Sequence, residues 1–547
     1  MEHDRPVEGS SLTSDGDLIL AGGTMTIDAT SSFLAGGGVR GLIGAAAGGT
    51  ARVVNAGVID LTNGASGATD TLTIRGDYEG RNGSLNLQTV LGIDGSPSDR
   101  LIIDGGTVSG STTIRVTNAG GLGAQTTGDG IEVVSGINGA NTTATTTGTG
   151  FTLAGQRVDA GAFEYRLFAS NQAGTSQSWF LRTQGNTQTE TPTPTPTPAP
   201  TPTPTPTPTP PPVTVTPPPV GPLAFRAEVP LLAALPGTLR RGDLEMLGTY
   251  HRRMGDENGG VADGFTAPGR IWGRALVEDG RFRQRGDARP TTDGRLYGFQ
   301  IGVDLFRFGS GGGHHNLGVY GGYTDGDFGV RGFASGVERQ AVGDLNTETT
   351  YAGLYWTYLA DNGFYVDTVI QRSWYDGTAD SSNGGRFGIE GDGILASVET
   401  GYGFALSPNW TLEPQAQIVA QGSSLDNVTI PNATVIQDSD AQITGRLGLR
   451  IKGRFESGGG AIQPYLRANL WKAFASRDRT LFLTPAAVTT IRTPNSALWG
   501  EAGAGVTWSL SPKMAIYGEA DHRFSLDSGR GVRGSSTGGS IGLKFSF

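Results

Sequence analysis

Cysteine is absent from all 547 residues, which excludes a disulfide framework, a thiolate metal site and a thiol nucleophile. Stability must come from burial and backbone hydrogen bonds. A chain without cysteine can also cross an oxidising compartment unfolded without trapping a premature disulfide. Long apolar runs are missing too, so no transmembrane helix is expected. Positive charge is in deficit, with 41 Lys and Arg against 51 Asp and Glu and a formal net charge of −10. That argues against nucleic acid as a partner, because phosphate neutralisation needs a basic surface. The five histidines, two of them adjacent at His314 and His315, form no H-E-x-x-H and no spaced ligand set, so neither a metal nor a cofactor is implied. Met1-Glu2-His3-Asp4-Arg5 offers neither a basic nor an apolar signal region; no signal peptide is visible, and the chain is expected to lack an upstream part.

Composition changes abruptly twice. Residues 10–185 are rich in Gly, Thr, Ala and Asn, residues 191–219 are nearly pure Thr and Pro, and residues 270–547 collect most of the Trp, Tyr and Arg. A mean hydropathy of −0.21 would suit a soluble protein, yet a transmembrane barrel hides its lipid face in alternation and never shows a hydrophobic run. Period-2 pattern therefore decides the membrane question.

From Arg270 onward twelve strand-like stretches recur between turn residues. The clearest runs from Ile443 to Arg454: Ile443, Leu447, Leu449 and Ile451 share one parity, and Thr444, Arg446, Arg450, Lys452 and Arg454 the other. Leu412, Ala416 and Ile418 oppose Glu413, Gln415 and Gln417 in the same way, and Leu466, Ala468 and Leu470 oppose Tyr465, Arg467 and Asn469. A soluble sandwich would alternate as well. It would not set Arg, Lys and Gln along twelve successive strands joined by alternately long and short connections. The short ones are expected at residues 360–363, 407–409 and 511–512 and near Gly311 and Gly458; the long ones lie around residues 279–293, 325–346, 376–392, 422–440, 476–497 and 526–534. Short turns on one side, longer loops on the other and an even strand number are the pattern of an outer-membrane β-barrel. Arg274, Glu413, Arg446, Arg450, Glu501 and Glu519 are candidates for its lumen. The last strand sets Ile541, Leu543, Phe545 and Phe547 on one face and must pair with the first, around Ile271-Trp272-Gly273-Arg274, to leave no open edge.

Residues 191–219 hold 15 of the 29 prolines, which favours extended polyproline II; at about 3.1 Å per residue this spacer reaches roughly 90 Å. A ligand for a proline-recognising module is the weaker reading, because the repeat is monotonous. Between Thr238 and Gly255 the pattern turns helical, with Leu239, Met246, Leu247, Tyr250 and Met254 on one stripe and Arg240, Arg241, Glu245, Arg252 and Arg253 on the other. Such a helix is about 27 Å long, close to the hydrocarbon thickness, yet its charge excludes lipid exposure. A surface amphipathic helix is the alternative.

Ile271-Trp272-Gly273-Arg274, Tyr517-Gly518-Glu519-Ala520 and the terminal Phe547 resemble the β-domain of classical (type Va) autotransporters, pertactin-like branch. Residues 72–78, 99–101 and 161–167 look like the cap of pertactin-like passengers, which acts as an autochaperone, and the final strand is similar to the C-terminal assembly signal. The resemblance implies an all-β chain: a short right-handed parallel β-helix with its cap at 1–185, a linker at 186–222, a helix threading the lumen and its connection at 223–269, and a 12-stranded antiparallel barrel at 270–547, with the arginines of the helix meeting inward carboxylates such as Glu413, Glu501 or Glu519. It implies an outer-membrane translocator, not an enzyme, that displays its own passenger on the cell surface. The expected partners are outer-membrane lipid, the barrel assembly machinery, periplasmic chaperones and a host surface, around a monomeric barrel. Rival readings are an adhesin anchored by the barrel and the remainder of an autotransporter with an enzymatic passenger.

Short β bursts such as Leu18–Leu20, Val58–Leu61, Leu72–Ile74, Leu101–Ile103 and Ile114–Val116 between Gly, Asn and Asp turns suggest a solenoid, with Phe163, Tyr165, Phe168, Trp179 and Phe180 as the plug of its open end. Residues 538–542 fit G-x-S-x-G and residues 36–41 fit G-x-G-x-x-G, but with 89 glycines such matches arise by chance, and neither has the required strand-turn-helix context. Of three Arg-Gly-Asp tripeptides, Arg285-Gly286-Asp287 is the one expected on an exposed loop, as an adhesion candidate. Self-cleaving relatives cut at an Asn pair in the pore helix. Aligning Arg252-Arg253-Met254-Gly255-Asp256 with their similar run puts Gly248-Thr249 at that place, and no Asn occurs between Leu223 and Glu257.

Overall fold

The computed structural model describes residues 11–14, 17–20, 24–27, 32–35, 40–45, 51–62, 67–184, 223–256, 265–266, 269–309, 312–457, 460–484, 487–511, 513–527 and 531–546. The expected Thr-Pro linker and Phe547 lie outside the described residues. The chain divides into two compact units that meet in sequence at Arg226 and Ala227.

In the first unit short strands stack in parallel. Thr71–Ile74, Arg100–Asp104 and Ile131–Ile137 pair in register, which puts Leu72, Leu101 and Val134 in one column. Gly76–Thr89, Val108–Asn118 and Phe151–Leu153 form a second ladder with Leu85, Ile114 and Leu153 in column. These columns are the buried core of a β-solenoid. Its rungs approach so closely that a Cβ at Gly106 would lie 1.7 Å from the carbonyl oxygen of Gly76. The stack ends by a change of direction. Phe163–Ala169 and Trp179–Arg182 pair antiparallel, and Trp179 lies opposite Val134 on the last parallel strand, so a hairpin occupies the edge from which the solenoid would otherwise extend. The aromatics expected to form one plug have two jobs. Trp179 meets Phe151 edge-on at 5.4 Å, and the Tyr165 hydroxyl accepts from Ala124 N and donates to Gly92 O, whereas Phe168 and Phe180 both contact the Arg182 guanidinium.

The second unit is a barrel of twelve antiparallel strands: β1 Arg270–Gln284, β2 Thr291–Gly309, β3 Gly313–Ala334, β4 Val337–Ala360, β5 Phe364–Ser381, β6 Arg386–Tyr402, β7 Trp410–Leu425, β8 Gln442–Gly453, β9 Gly460–Ala473, β10 Ala497–Ser511, β11 Met514–Ser525 and β12 Val532–Ser546. It closes where β1, paired with β2 on one side, pairs with β12 on the other, from Arg270 opposite Ser546 to Gln284 opposite Val532. Closure satisfies every ladder without an edge, which is the condition for a sheet to sit in hydrocarbon. Alternation then sorts the faces: Ile541, Leu543, Phe545, Leu447 and Leu466 are exposed outward while Arg446, Arg450 and Glu501 are buried inward.

The connections differ from those expected. The loop expected at 325–346 is a hairpin whose strands run to Ala334 and from Val337, and the one at 376–392 narrows to residues 382–385. One face of each extension stays buried, with Phe328, Val330, Val342, Leu345 and Ile389 inward, but the glycines and aspartates between them, as in Thr324-Asp325-Gly326-Asp327, carry the composition of a turn. Residues 428–494 also contribute a separate four-stranded sheet made of Val428–Ile430, Ala433–Ser439, Arg477–Thr484 and Ala487–Pro494, where Val435, Phe482 and Ile491 are buried.

Inward aromatics lie across glycines of neighbouring strands. A Cβ at Gly353 would meet the Tyr320 ring at 2.1 Å, one at Gly318 the Tyr355 ring at 2.3 Å, and one at Gly542 the Tyr517 ring at 2.2 Å. The glycine makes room for the ring, and the ring covers the gap that the glycine leaves. Gly353→Val should therefore displace Tyr320, whose hydroxyl donates to Gln371 at 2.8 Å. We expect a loss of about 1–3 kcal/mol, read as a lower temperature at which the compact band converts to the unfolded band on a detergent gel. An unchanged conversion temperature would contradict this packing.

Candidate functional site

A helix lies within the second unit where the sequence pattern placed one, but longer. The helix α1 spans Glu228–Leu247, ten residues before the expected start, and a short α2 follows at Tyr250–Met254. Pro230 and Pro236 hid the first turns, since proline reads as a helix breaker. Pro236 offers no N–H to the carbonyl of Leu232; Gln437 Nε2 donates to that oxygen instead at 2.9 Å. The break after Leu247 has a visible cause. Gly248 holds φ at 61°, and a Cβ there would lie 2.9 Å from the Arg274 guanidinium. Arg274 donates to Met246 O at 2.6 Å and Glu245 O at 3.0 Å, capping the helix end where unpaired carbonyls and the dipole favour a cation. Thr249 then starts α2 by accepting from Arg252 N.

The two-faced pattern of the sequence does not survive as one buried and one wet face. Leu239, Met246, Leu247, Tyr250 and Met254 are buried, and so are Arg240, Arg252 and Arg253. Each charge has a partner on the surrounding wall. Arg240 forks onto Asp478 at 2.9 and 2.5 Å, and Arg253 donates through Nη2 to both oxygens of Asp367 at 2.7 and 2.8 Å. Arg252 meets Glu519 at 2.6 Å and Glu245 and Asp521 at 3.2 Å. Asp243 accepts from Ser373 and Tyr375 at 2.8 and 2.7 Å, and Asp256 is held by Arg450 at 2.8 and 2.5 Å and by Lys452 at 3.3 Å. Arg241, half-buried, stacks over Phe282 at 4.1 Å and donates to Thr292. Between these pairs Leu247, Tyr250, Met254, Trp272, Tyr320, Tyr355 and Val369 form an apolar collar.

Two expected pairings are corrected. Glu501 does not meet a helix arginine: its ion-pair partners are the wall residues Arg467 and Arg523. Glu413 faces His251 at 2.6 Å and Lys452 at 3.7 Å. Among the other lumen candidates, Arg446 reaches Glu399 at 3.1 Å. Pattern reading missed Asp243, Asp256, Asp367 and Asp478. Asp367 sits at the inward parity of β5, a signal that was available; Asp478 fell in a stretch read as loop. Outside this site, Arg285 and Asp287 are exposed, but Asp287 is held through Arg492, accepting from its N at 2.9 Å and donating its own N–H to its carbonyl. Ile541, Leu543 and Phe545 face outward on β12.

A helix with charges on every side, each matched by the wall, fills the lumen. Two cavities of about 20 and 50 Å³ beside it have room for water and little else.

Comparison with known proteins agrees with this geometry. Residues 271–521 match the family model of the autotransporter beta-domain, and residues 50–167 match that of the autochaperone domain type 1. The BmaC autotransporter of Brucella suis biovar 1 (strain 1330), described as an adhesin, is 30% identical over 572 residues, covering 98% of this chain and 15% of the relative. YdeU of Escherichia coli K12, uncharacterised, is 28% identical over 87% of this chain and 98% of its own length. The pertactin autotransporter of Bordetella bronchiseptica is 28% identical over 46% of this chain and 27% of its own length. The chain thus spans well under two thirds of the adhesin and of pertactin. With an autochaperone region, a lumen-filling helix and a closed outer-membrane barrel in that order, the chain belongs to the classical autotransporter family.

Proposed function

We propose that the barrel inserts in the outer membrane, exports the solenoid of its own chain and holds it at the cell surface. The observation that carries this reading is a continuous segment, Glu228–Asp256, whose charges all meet the lumen wall. Such a segment suits the trailing end of a chain drawn through the pore, which then stops there as a plug. The working boundaries are a passenger at 1–185, a spacer at 186–222, the plug and its connection at 223–269 and the translocator at 270–547. The outward row Ile541, Leu543, Phe545 with Phe547 is what the assembly machinery would read, after delivery by periplasmic chaperones. Folding of the capped solenoid outside favours export, with no catalytic part in the process. Adhesion is the second reading, favoured by the description of the Brucella relative.

Protease added to intact cells should release solenoid fragments and leave residues 223–547 protected in the membrane. Protection of the solenoid until the outer membrane is breached would sink the export reading.

The passenger should also stay attached. Gly248 has no side chain that could attack its own carbonyl, and the Thr249 hydroxyl accepts from Arg252 N, with no base hydrogen-bonded to it among the described residues. The purified full chain, incubated in detergent without other proteins, is expected to remain a single band on a denaturing gel. A spontaneous cut within residues 238–255 would refute this.

A further inference from the structure

On a chain of net charge −10, the outward face of β12, β1, β2 and β3 carries a concentration of arginine at the end that the longer hairpins occupy. The cross-strand register resolves it into rows. Val277 and Tyr297 are the last apolar outward positions on β1 and β2. In the row above, Asp279 lies opposite Arg295, and Arg295 opposite Asp327; in the next, Arg281 lies opposite Asp293, 3.5 Å away. Both rows set a carboxylate against each arginine. The third does not: Arg533, Arg283 and Arg331 stand in line across β12, β1 and β3, with Thr291 of β2 between the last two. Among the described residues no carboxylate comes within 4.0 Å of any of the three. Their neighbours sharpen the imbalance. Arg281, Arg285 and Arg339 add positive field around Arg283, and Glu338, the carboxylate felt there, is paired with Arg289. Like charges directly opposite on neighbouring strands are destabilising, so a bound anion would relieve the row.

Height says which anion. Arg283 lies six residues beyond Val277, about 20 Å along the strand at ~3.3 Å per residue, or about 15 Å along the membrane normal at a barrel tilt of ~40°. A phospholipid headgroup layer adds only about 5–8 Å on each side of the hydrocarbon. Resting on the reading that the hairpin end of the barrel faces outward, we infer that Arg283, Arg331 and Arg533 bind the phosphate groups on the inner sugars of a phosphorylated glycolipid in the outer leaflet. Planar guanidiniums grip phosphate bidentately, and three in one row match a headgroup that carries more than one. The outward faces of β4, β5 and β6 carry the opposite sign, with Glu348, Asp376 and Glu390 directly opposite one another, so the contact is confined to one side of the barrel.

The test reconstitutes the full chain in phosphatidylcholine nanodiscs doped with a phosphorylated core glycolipid, the same glycolipid after phosphate removal, or phosphatidylglycerol. Native mass spectrometry then counts the lipid retained in mild detergent. Wild type should retain the phosphorylated glycolipid at least tenfold more than the Arg283→Gln, Arg331→Gln, Arg533→Gln triple variant. The corresponding triple Lys variant should stay within threefold of wild type, and Asp376→Asn should be unchanged. Equal retention by wild type and the Gln variant, or equal retention of the dephosphorylated glycolipid or phosphatidylglycerol, would overturn the inference. Binding of heparin with the same arginine dependence and no glycolipid retention would reassign the row to a sulfated polysaccharide. A compact band that survives until boiling shows that each variant is folded; failure of wild type to form it would overturn the barrel reading together with this one.

Discussion

A peptide with arginine, glutamate and aspartate on every face can rest at the depth of a membrane only if each charge meets an opposite one or hydrogen-bonding groups, because an unpaired buried ion costs several kcal/mol. The segment from Arg240 to Asp256 satisfies that condition against walls far apart in sequence: Asp478, Asp367, Glu519, Asp521, Arg450 and Lys452 supply opposite charges, while Ser373 and Tyr375 hold Asp243 and Thr292 accepts from Arg241. Buried pairs of this kind add little net stability compared with an apolar core, but removing one partner is strongly unfavourable. Their effect is therefore to select one depth and one rotation of the helix. A shift by one turn, about 5.4 Å, would break several pairs at once.

The two units meet the same difficulty of unpaired strand edges by different routes. The barrel removes its edges by joining β12 to β1, and glycines let the inward rings of Tyr320, Tyr355 and Tyr517 lie over neighbouring strands. The solenoid cannot close. It turns an antiparallel hairpin across its last rung, and this cap overlaps the end of the autochaperone match at residues 50–167.

Strands inside the apolar band were legible in the sequence because burial there imposes a strict period of two; Ile443–Arg454 reads the same way in the pattern and in the barrel. The extensions of β3 and β4 and the four-stranded sheet read as loops although Val330, Leu345, Val435 and Phe482 are buried there, because glycine, aspartate and asparagine between those residues give turn signals. The helix was found where its charges alternate with Leu239, Met246 and Tyr250. It was cut short where Pro236 mimics an end, because the compensating donor, Gln437, lies some two hundred residues away. Inward parity identified Glu413, Glu501 and Glu519 as lumen residues. Partner choice was not legible: it depends on height along the barrel, which leaves no local trace, and inward parity alone does not show that Glu501 pairs with the wall residues Arg467 and Arg523 and not with the helix.

The claim that opposite charges fix the helix inside the barrel is tested most directly by a double-mutant cycle on Asp256 and Arg450, read as resistance of the compact form to urea in detergent. Arg450→Gln and Asp256→Asn should each be destabilising by about 3 kcal/mol, because each leaves a buried charge behind. The double variant should cost less than the sum, with a coupling of roughly 2 kcal/mol. Strict additivity of the two substitutions would mean that the two groups do not meet and would contradict the account.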